Sequence, residues 1–252
     1  MDSLDVGTEM VVNPNEWQTR GKKWQDVRTA INKAKRDGIT DVLTTFKEAP
    51  FSVQTQIREI SAQWAGKKAL PEMGFTLGGV DELIDSRVRL LYAVDGNGKV
   101  LGVTSWLPTY RDGTIIGWTL DFMRHRTDSV NGIMEFLIAR MAERLRDEGN
   151  VEFMSLSAAP LAGMGSNESE HEESEVLRHA LQMVADIMEP AYGFHSLFRF
   201  KLKFHPDEEK VYICYPDAAK LPQISLAVAQ AYVPSLTPAE AMRFVRTIAP
   251  RD

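Results

Sequence analysis

The sequence is poor in the features that build several common classes of protein. It has one cysteine, Cys214, which excludes both a disulfide within the chain and a cysteine-based metal site. Its longest apolar runs fall well short of the roughly 18–20 residues that a membrane-spanning helix needs. No two histidines have the i, i+4 spacing of a helical metal site, and no Gly-x-Ser-x-Gly or Walker A motif occurs. We therefore predict no bound metal, and we expect Cys214 to be a small buried residue of a strand.

Positive charge is not in excess over the whole chain. The 29 lysine and arginine residues are outnumbered by 35 aspartate and glutamate residues, which gives a formal net charge of −6. This balance argues against a protein that coats nucleic acid generally, but it is compatible with a local basic patch. The acidic N-terminal stretch has no signal-peptide pattern. We expect any membrane contact to be peripheral, or to be made through a further part of a longer protein.

One basic patch does occur, at residues 20–36, where seven lysine or arginine residues accompany a single aspartate. Such a patch attracts a polyanion, either nucleic acid or anionic lipid headgroups, and Trp17 and Trp24 could stack on a base or lie at a lipid interface. The commoner alternative is a solvated helix face with Trp24 in the core. The binding interpretation gives three candidate substrate-binding residues, namely Lys22, Lys23 and Arg28.

Apolar spacing and turn signals predict the order of the secondary-structure elements. The first part consists of an irregular stretch (1–15), an amphipathic helix that ends at Gly38, a strand (41–46) and a helix capped by Ser52. A three-strand meander (88–123), a helix (129–148) and a strand from Val151 follow. After them come an acidic loop (163–175), a further helix, a strand through Cys214 and a helical last part. This order predicts an α+β, N-acetyltransferase-like fold with a central, mostly antiparallel sheet flanked by helices. We divide the chain into a basic helical lead-in and linker (1–50) and an acetyltransferase-like domain (51–252).

The junction between the meander and the helix at 129–148 concentrates ionisable residues, including Asp121, Arg124 and Arg126. In acetyltransferases of this fold, the corresponding loop holds a pyrophosphate through backbone N–H groups and closely spaced glycines. This loop has Gly132 but no glycine pair, so we expect an anion site without a coenzyme A cradle. The alternative is that Asp128 or Ser129 caps the helix and the arginines are solvated.

A second cationic stretch lies at residues 192–206. If it is extended, alternation places Leu197, Arg199, Lys201 and Lys203 on one side and Phe198, Phe200, Leu202 and Phe204 on the other. A row of cations backed by aromatic rings suits the binding of an anion or the polarisation of a carbonyl. A half-buried strand with a basic solvent face is the commoner alternative.

Five stretches in the same order together resemble a known family. They are "GKKWQDVRTAINKAKRDGI", "EMGFTLGGVDE", "LDFMRHRTDSVNGIMEFL", "LSAAPLAGM" and "YGFHSLFRFKLKFHP". The chain resembles the C-terminal catalytic domain of the bacterial phosphatidylglycerol lysyltransferase (multiple peptide resistance factor) family over about residues 20–215.

This resemblance implies transfer of an aminoacyl group from a charged tRNA to phosphatidylglycerol at the cytoplasmic membrane face. Lysine is the amino acid that members of the family most commonly transfer, and the product confers resistance to cationic antimicrobial peptides. The resemblance also implies that neither coenzyme A nor another cofactor is used. The family's active-site motifs match Asp121, Arg124 and Lys201, which we take as the catalytic candidates. Three further candidates for substrate binding lie in or beside the matched motifs, namely Arg126, Asn131 and Lys203.

The resemblance also implies a larger protein. The family's domain usually begins with another acetyltransferase half and a polytopic membrane region, whereas this chain starts only about 20 residues before its first matching motif. We therefore expect a fragment or shortened relative, with a membrane-embedded domain or partner supplying the missing half. Two alternatives stay open: a non-catalytic fragment that binds tRNA or anionic lipid, and an acetyl-CoA-dependent acetyltransferase.

Overall fold

A single seven-stranded sheet organises the chain in the computed structural model, which describes residues 2–65, 79–160 and 194–220 together with 223, 224, 227 and 231. The bounds of the strands are Asp2–Val12 (β1), Thr40–Thr44 (β2), Arg89–Val94 (β3), Val100–Arg111 (β4), Thr114–His125 (β5), Phe153–Pro160 (β6) and Asp207–Tyr215 (β7). They lie in the order β2-β3-β4-β5-β6-β1-β7, and all recorded pairs are antiparallel except β5–β6. The helices discussed below are Gln25–Arg36 (α1), Phe51–Ala65 (α2), Ile133–Glu148 (α3) and Phe194–Leu202 (α4).

The predicted meander is confirmed as β3, β4 and β5. Asp112 and Gly113 connect β4 to β5 with φ of 49° and 78°, the pair of positive φ angles that a tight primed hairpin turn requires. The wider turn from β3 to β4 places Gly98 at φ 79°. These turn residues explain why the sequence signals identified the hairpins correctly.

The predicted irregular lead-in at residues 1–15 is wrong, because residues 2–12 form β1 between β6 and β7. Irregularities in the pairing of β1 fall between Asp5 and Gly7 and between Glu9 and Val11. Such irregularities interrupt the period-two alternation by which a strand is recognised in sequence. Both β1 and β2 therefore share one sheet with the strands of the predicted 51–252 domain.

Helices cover both faces of the sheet, as the fold class predicts. Leu91 and Ala93 of β3 belong to one apolar cluster with residues of α1 and α3. Leu90 and Tyr92 belong to a second cluster with residues of α2. Because successive side chains of a strand point to opposite faces, α1 and α3 lie on one face and α2 lies on the other.

Most predicted helix positions are confirmed, with local corrections at their ends. Helix α1 buries Val27 and Ala34 and is followed by Gly38 at φ 67°. Ser52 lies inside α2, which begins at residue 51, so the prediction that it caps this helix is wrong. Cys214 is in β7 as predicted, but its side chain is exposed because β7 is the outermost strand on its side of the described sheet.

Several predicted elements lie outside the described residues. They are the acidic loop at 163–175, the helix that follows it, most of the "EMGFTLGGVDE" stretch and most of the helical C-terminal part. In the part of the chain that the structure does describe, none of the helices is long and apolar enough to cross a membrane.

Two glycines with similar backbone angles test how α1 packs against α3. A methyl group added at Gly132 (φ 92°) would lie 2.9 Å from Ala30 Cβ of α1, whereas one added at Gly113 (φ 78°) would meet nothing within 4 Å. Gly113→Ala should therefore cost only the left-handed backbone penalty, about 1 kcal/mol. Gly132→Ala should cost about 1 kcal/mol more, because α1 must also shift. Urea denaturation of both variants measures this difference, and equal losses would show that α1 is not tightly packed there.

Candidate active site

The candidate site lies where β5 and β6 part. Their parallel pairing runs from Gly117 opposite Phe153 to Thr119 opposite Ser155 and then ends. Beyond that point β5 continues beside β4, while β6 continues beside β1. We call this divergence the fork; the catalytic candidates Asp121 and Arg124 lie on its β5 side.

A β-bulge in β5 sets the direction of the side chains at the fork. Thr104 pairs with Met123 and Trp106 pairs with Leu120, so Asp121 and Phe122 together lie opposite one residue of β4. That residue, Ser105, accepts the Phe122 amide N–H on its Oγ at 3.1 Å. An extra residue of this kind reverses the alternation of the following side chains. Leu120 accordingly packs with the α1 and α3 cluster, while Phe122 packs with the α2 cluster.

Arg124 is held between two aromatic rings. Its guanidinium carbon lies 3.4 Å from the ring centroid of Trp64 and 4.7 Å from that of Phe122. Its side chain is almost fully buried, at 4% exposure, and Nη1 donates to the Met123 carbonyl at 3.0 Å. Stacking on aromatic faces is specific to the planar guanidinium and fixes its orientation. Trp64, from the last turn of α2, was not singled out by sequence reasoning.

Lys201 approaches the β6 side of the fork from α4. Its side chain is 3% exposed, and Nζ donates to the carbonyls of Ser157 and Ala158, both at 3.1 Å. Burial lowers the pKa of Lys201 to about 8, against the opposing effect of the negative charge on Glu9. The amine is therefore mostly protonated near neutral pH, and a minor fraction of it is neutral.

The extended conformation predicted for residues 192–206 is wrong, because residues 194–202 form helix α4. Lys201 and Phe204 are buried, whereas Arg199 is exposed and Leu202 is 36% exposed. Phe204 packs on Trp17 with ring centroids 6.5 Å apart. A run that alternates apolar and basic residues also satisfies helical spacing at three and four residues, so periodicity alone could not decide between the two structures.

A chain of hydrogen bonds joins Lys201 to both strands of the fork. Ser157 Oγ donates to the Leu120 carbonyl, directly before Asp121 in β5. The Ser157 N–H donates to Ser155 Oγ at 2.9 Å, and Ser155 Oγ donates to Glu9 Oε1 at 2.6 Å. Sequence reasoning missed Glu9, Ser155 and Ser157, since Glu9 lay in the supposed lead-in and a strand serine gives no signal of its own.

Arg126 and Asp128, in the loop after β5, are engaged in local contacts. Arg126 Nε donates to the Val100 carbonyl at 2.8 Å, and its Nη2 donates to Gln56 Oε1 at 3.1 Å, which ties the end of β5 to β4 and α2. Asp128 pairs with Lys99 at 2.7 Å. Asn131, a predicted substrate-binding residue, is exposed.

The alternative in which Asp128 or Ser129 caps the helix after this loop is wrong. Helix α3 begins at residue 133, and its N-cap is Gly132, which has no side chain to accept a capping hydrogen bond. Ser129 Oγ instead lies 3.2 Å from His125 Nδ1.

The other predicted binding residues divide into exposed and engaged side chains. Lys22 and Lys23 are exposed, whereas Arg28 Nη1 donates to the carbonyls of Thr19 and Gly21 at 2.7 and 2.9 Å. Lys203 Nζ pairs with Glu135 in the first turn of α3 at 2.7 Å.

Both tryptophans beside the basic patch are core residues. Trp17 and Trp24 are 4% and 6% exposed and pack edge to face, so the idea that they stack on a base or lie at a lipid interface is wrong.

Among the described residues, no group of three or more histidine, cysteine, aspartate and glutamate side chains is placed to hold a metal ion.

Comparison with known proteins identifies one family. The sequence model described as "Phosphatidylglycerol lysyltransferase, C-terminal" matches residues 1–215. The chain is 41% identical over 231 residues to an uncharacterised protein of Corynebacterium glutamicum, and 30% identical over 216 residues to a phosphatidylglycerol lysyltransferase of Bacillus subtilis. These alignments cover 92% and 83% of this chain but only 28% and 23% of the relatives, so the chain spans about a quarter of their length.

A solved structure shows the same fold. The structure of L-PGS from Bacillus licheniformis matches with a TM-score of 0.71 at 23% identity, over 92% of this chain and 67% of that chain.

The lowered pKa of Lys201 predicts a specific pH dependence of stability. Between the folded value of about 8 and the unfolded value of 10.5, the unfolded state binds more protons, so the free energy of unfolding rises with pH. The Lys201→Met variant lacks this contribution. The parent should gain roughly 3 kcal/mol relative to Lys201→Met between pH 7.5 and 10.5. Urea denaturation of both proteins across this range measures it, and a constant difference would contradict the buried, shifted amine.

Proposed function

Because the chain belongs to the phosphatidylglycerol lysyltransferase C-terminal family, we propose that it transfers an aminoacyl group, with lysyl as the first candidate, from a charged tRNA to phosphatidylglycerol. The family match over residues 1–215 is the observation that carries this proposal. The fork supports it by placing a carboxylate and a stacked guanidinium on β5 and a buried amine against β6. We place the reaction at the cytoplasmic face of the bacterial membrane, with a membrane-embedded domain or partner as a further component.

The proposed chemistry needs no covalent enzyme intermediate. The bond between the aminoacyl carbonyl carbon and the tRNA ribose oxygen breaks, and a bond from that carbon to the lipid glycerol oxygen forms. The glycerol hydroxyl proton ends on the ribose oxygen that leaves. The site must bring the two reactants together, move this proton and stabilise the developing oxyanion.

The three catalytic candidates suit these tasks. Asp121 accepts the hydroxyl proton or holds the α-ammonium of the aminoacyl group. Arg124, fixed between Trp64 and Phe122, supplies the positive charge for the lipid phosphate. Lys201 donates to the oxyanion or the leaving oxygen, and its pKa of about 8 suits proton transfer near neutral pH.

The loop after β5 does not favour the acetyl-CoA alternative. Arg126 donates hydrogen bonds to the Val100 carbonyl and to Gln56, and Asp128 forms an ion pair with Lys99. Helix α1 also packs against the start of α3, where Ala30 lies next to Gly132. A turnover assay separates the binding-only alternative from catalysis.

The exposed cations of α1 and the turn before it suit a phosphate backbone. Lys22 and Lys23 are exposed at one end of this segment, and Lys35 and Arg36 are exposed at the other. We propose this surface for tRNA, since neutralisation of phosphates is the main source of affinity for nucleic acid.

Transfer of radiolabelled lysine from lysyl-tRNA to phosphatidylglycerol vesicles tests the function. Asp121→Asn, Arg124→Lys and Lys201→Met should each lower kcat about 100-fold or more. Asp121→Asn and Lys201→Met each remove a charge, and Arg124→Lys removes the planar guanidinium that stacks between Trp64 and Phe122. The matched controls are Asp85→Asn and Arg87→Lys, an exposed ion pair before β3, and they should retain transfer. Full transfer in the Asp121 and Arg124 variants would refute the site, and tRNA or lipid binding without any product would favour the binding-only alternative.

Charge reversal tests the tRNA surface. The double variant Lys22→Glu/Lys23→Glu should weaken tRNA binding several-fold and reduce the slope of log K against log salt concentration by roughly 1–2. The control double variant, Lys47→Glu/Arg87→Glu, reverses two exposed charges elsewhere. Filter binding at several salt concentrations measures both. Equal effects of the two double variants would show that tRNA does not use this surface.

A further inference from the structure

Ser157 has a backbone conformation that a serine rarely adopts within a strand. Three described non-glycine residues have positive φ: Asp112 (49°), Ser157 (67°) and His205 (48°). Asp112 lies in a hairpin turn that requires this conformation, but Ser157 lies inside β6. The left-handed region costs a non-glycine residue about 1–2 kcal/mol, so the surrounding structure must hold Ser157 there.

Hydrogen bonds on both sides of the residue hold this conformation. The Ser157 N–H donates to Ser155 Oγ at 2.9 Å, and Ser157 Oγ donates to the Leu120 carbonyl of β5. The pairing of β1 with β6 shifts register at the same place, between Glu9 and Val11. Ser157 thus lies two residues beyond Ser155, the last residue of β6 that pairs with β5, and its hydroxyl still bridges the two strands.

The consequence of this conformation is seen at Lys201. In a regular strand, successive carbonyls point to opposite sides, where neighbouring strands bind them. Here the successive carbonyls of Ser157 and Ala158 both accept from Lys201 Nζ at 3.1 Å. A left-handed residue between regular strand residues allows two such carbonyls to converge on one donor.

We propose that Ser157 is a positioning residue for Lys201. Its left-handed backbone directs two carbonyls at the amine, and its hydroxyl fixes that arrangement relative to Leu120, the residue before Asp121. The proposal rests on the proposed function in so far as Lys201 acts in aminoacyl transfer. The geometry of the amine itself can be tested separately.

Substitutions at Ser157 separate the backbone from the hydroxyl. Ser157→Gly keeps access to the left-handed region and loses only the hydroxyl, so kcat should fall less than about tenfold. Ser157→Val excludes that conformation in practice, and kcat should fall about 100-fold while KM changes less than about threefold. Ser157→Ala makes the same comparison with a smaller side chain if the valine variant does not fold.

The hairpin residue Asp112 provides the matched control, because it has a similar backbone conformation at a distance from the fork. Asp112→Val should lower the melting temperature about as much as Ser157→Val but leave transfer unchanged. Loss of transfer in proportion to melting temperature at both positions would overturn the proposal, as would equal losses in Ser157→Gly and Ser157→Val.

Acylation of lysines by an N-hydroxysuccinimide ester, measured by mass spectrometry, tests the position of the Lys201 amine. This test does not depend on the enzymatic activity of the protein. Lys201 should be strongly protected relative to the exposed Lys22 in the parent, in Ser157→Gly and in Asp112→Val. Ser157→Val should raise labelling of Lys201 about tenfold or more, because the amine loses its buried carbonyl partners. Unchanged protection in Ser157→Val would overturn the proposal. If the parent transfers no aminoacyl group, the proposed function fails, and this labelling still decides whether Ser157 positions Lys201.

Discussion

The separation of β5 from β6 is the constraint on which the candidate site depends. Two strands that stayed paired would satisfy each other's backbone groups with ladder hydrogen bonds. Here the pairing stops after Thr119 and Ser155, and each strand then has an irregular backbone. In β5 the irregularity is the bulge opposite Ser105, and in β6 it is the left-handed conformation of Ser157. Backbone N–H and C=O groups near these irregularities form hydrogen bonds with serine hydroxyls and with the Lys201 amine.

The electrostatics of the site follow from this arrangement. Lys201 is buried because α4 places its side chain against the open part of β6, and burial lowers its pKa. The negative charge on Glu9 opposes the effect of burial, and the pKa of Lys201 is about 8. Its Nζ donates to two carbonyls of β6. On the other side of the fork, Arg124 gains its fixed orientation from Trp64 of α2. Trp64 belongs to α2 and Lys201 belongs to α4, two helices from distant parts of the sequence.

The sequence predicted local features well and long-range irregularities badly. The Asp112–Gly113 turn, the apolar periodicity of α1 and the glycine after it each have a short-range signal, and the structure confirms the elements they predicted. Strand β1 was missed because irregular pairing at Asp5 and Glu9 interrupts its alternation. Helix α4 was read as a strand because its residue pattern satisfies both periods.

The site itself shows the same division between pattern and geometry. Asp121, Arg124 and Lys201 came from the family resemblance, and the structure places the first two on one strand of the fork and the third against the other. The residues that orient them, among them Ser157 and Trp64, act through backbone conformation or stacking across the fold. A single sequence carries no signal for either.

Analysis of lipids from living cells tests the central claim most directly. Mass spectrometry should detect aminoacylated phosphatidylglycerol, with lysyl as the first candidate, in cells that make this protein. The same cells with Lys201→Met, at equal protein level, should lose that lipid. Equal amounts of the aminoacylated lipid in both strains, or none in the parent strain, would contradict aminoacyl transfer at the fork.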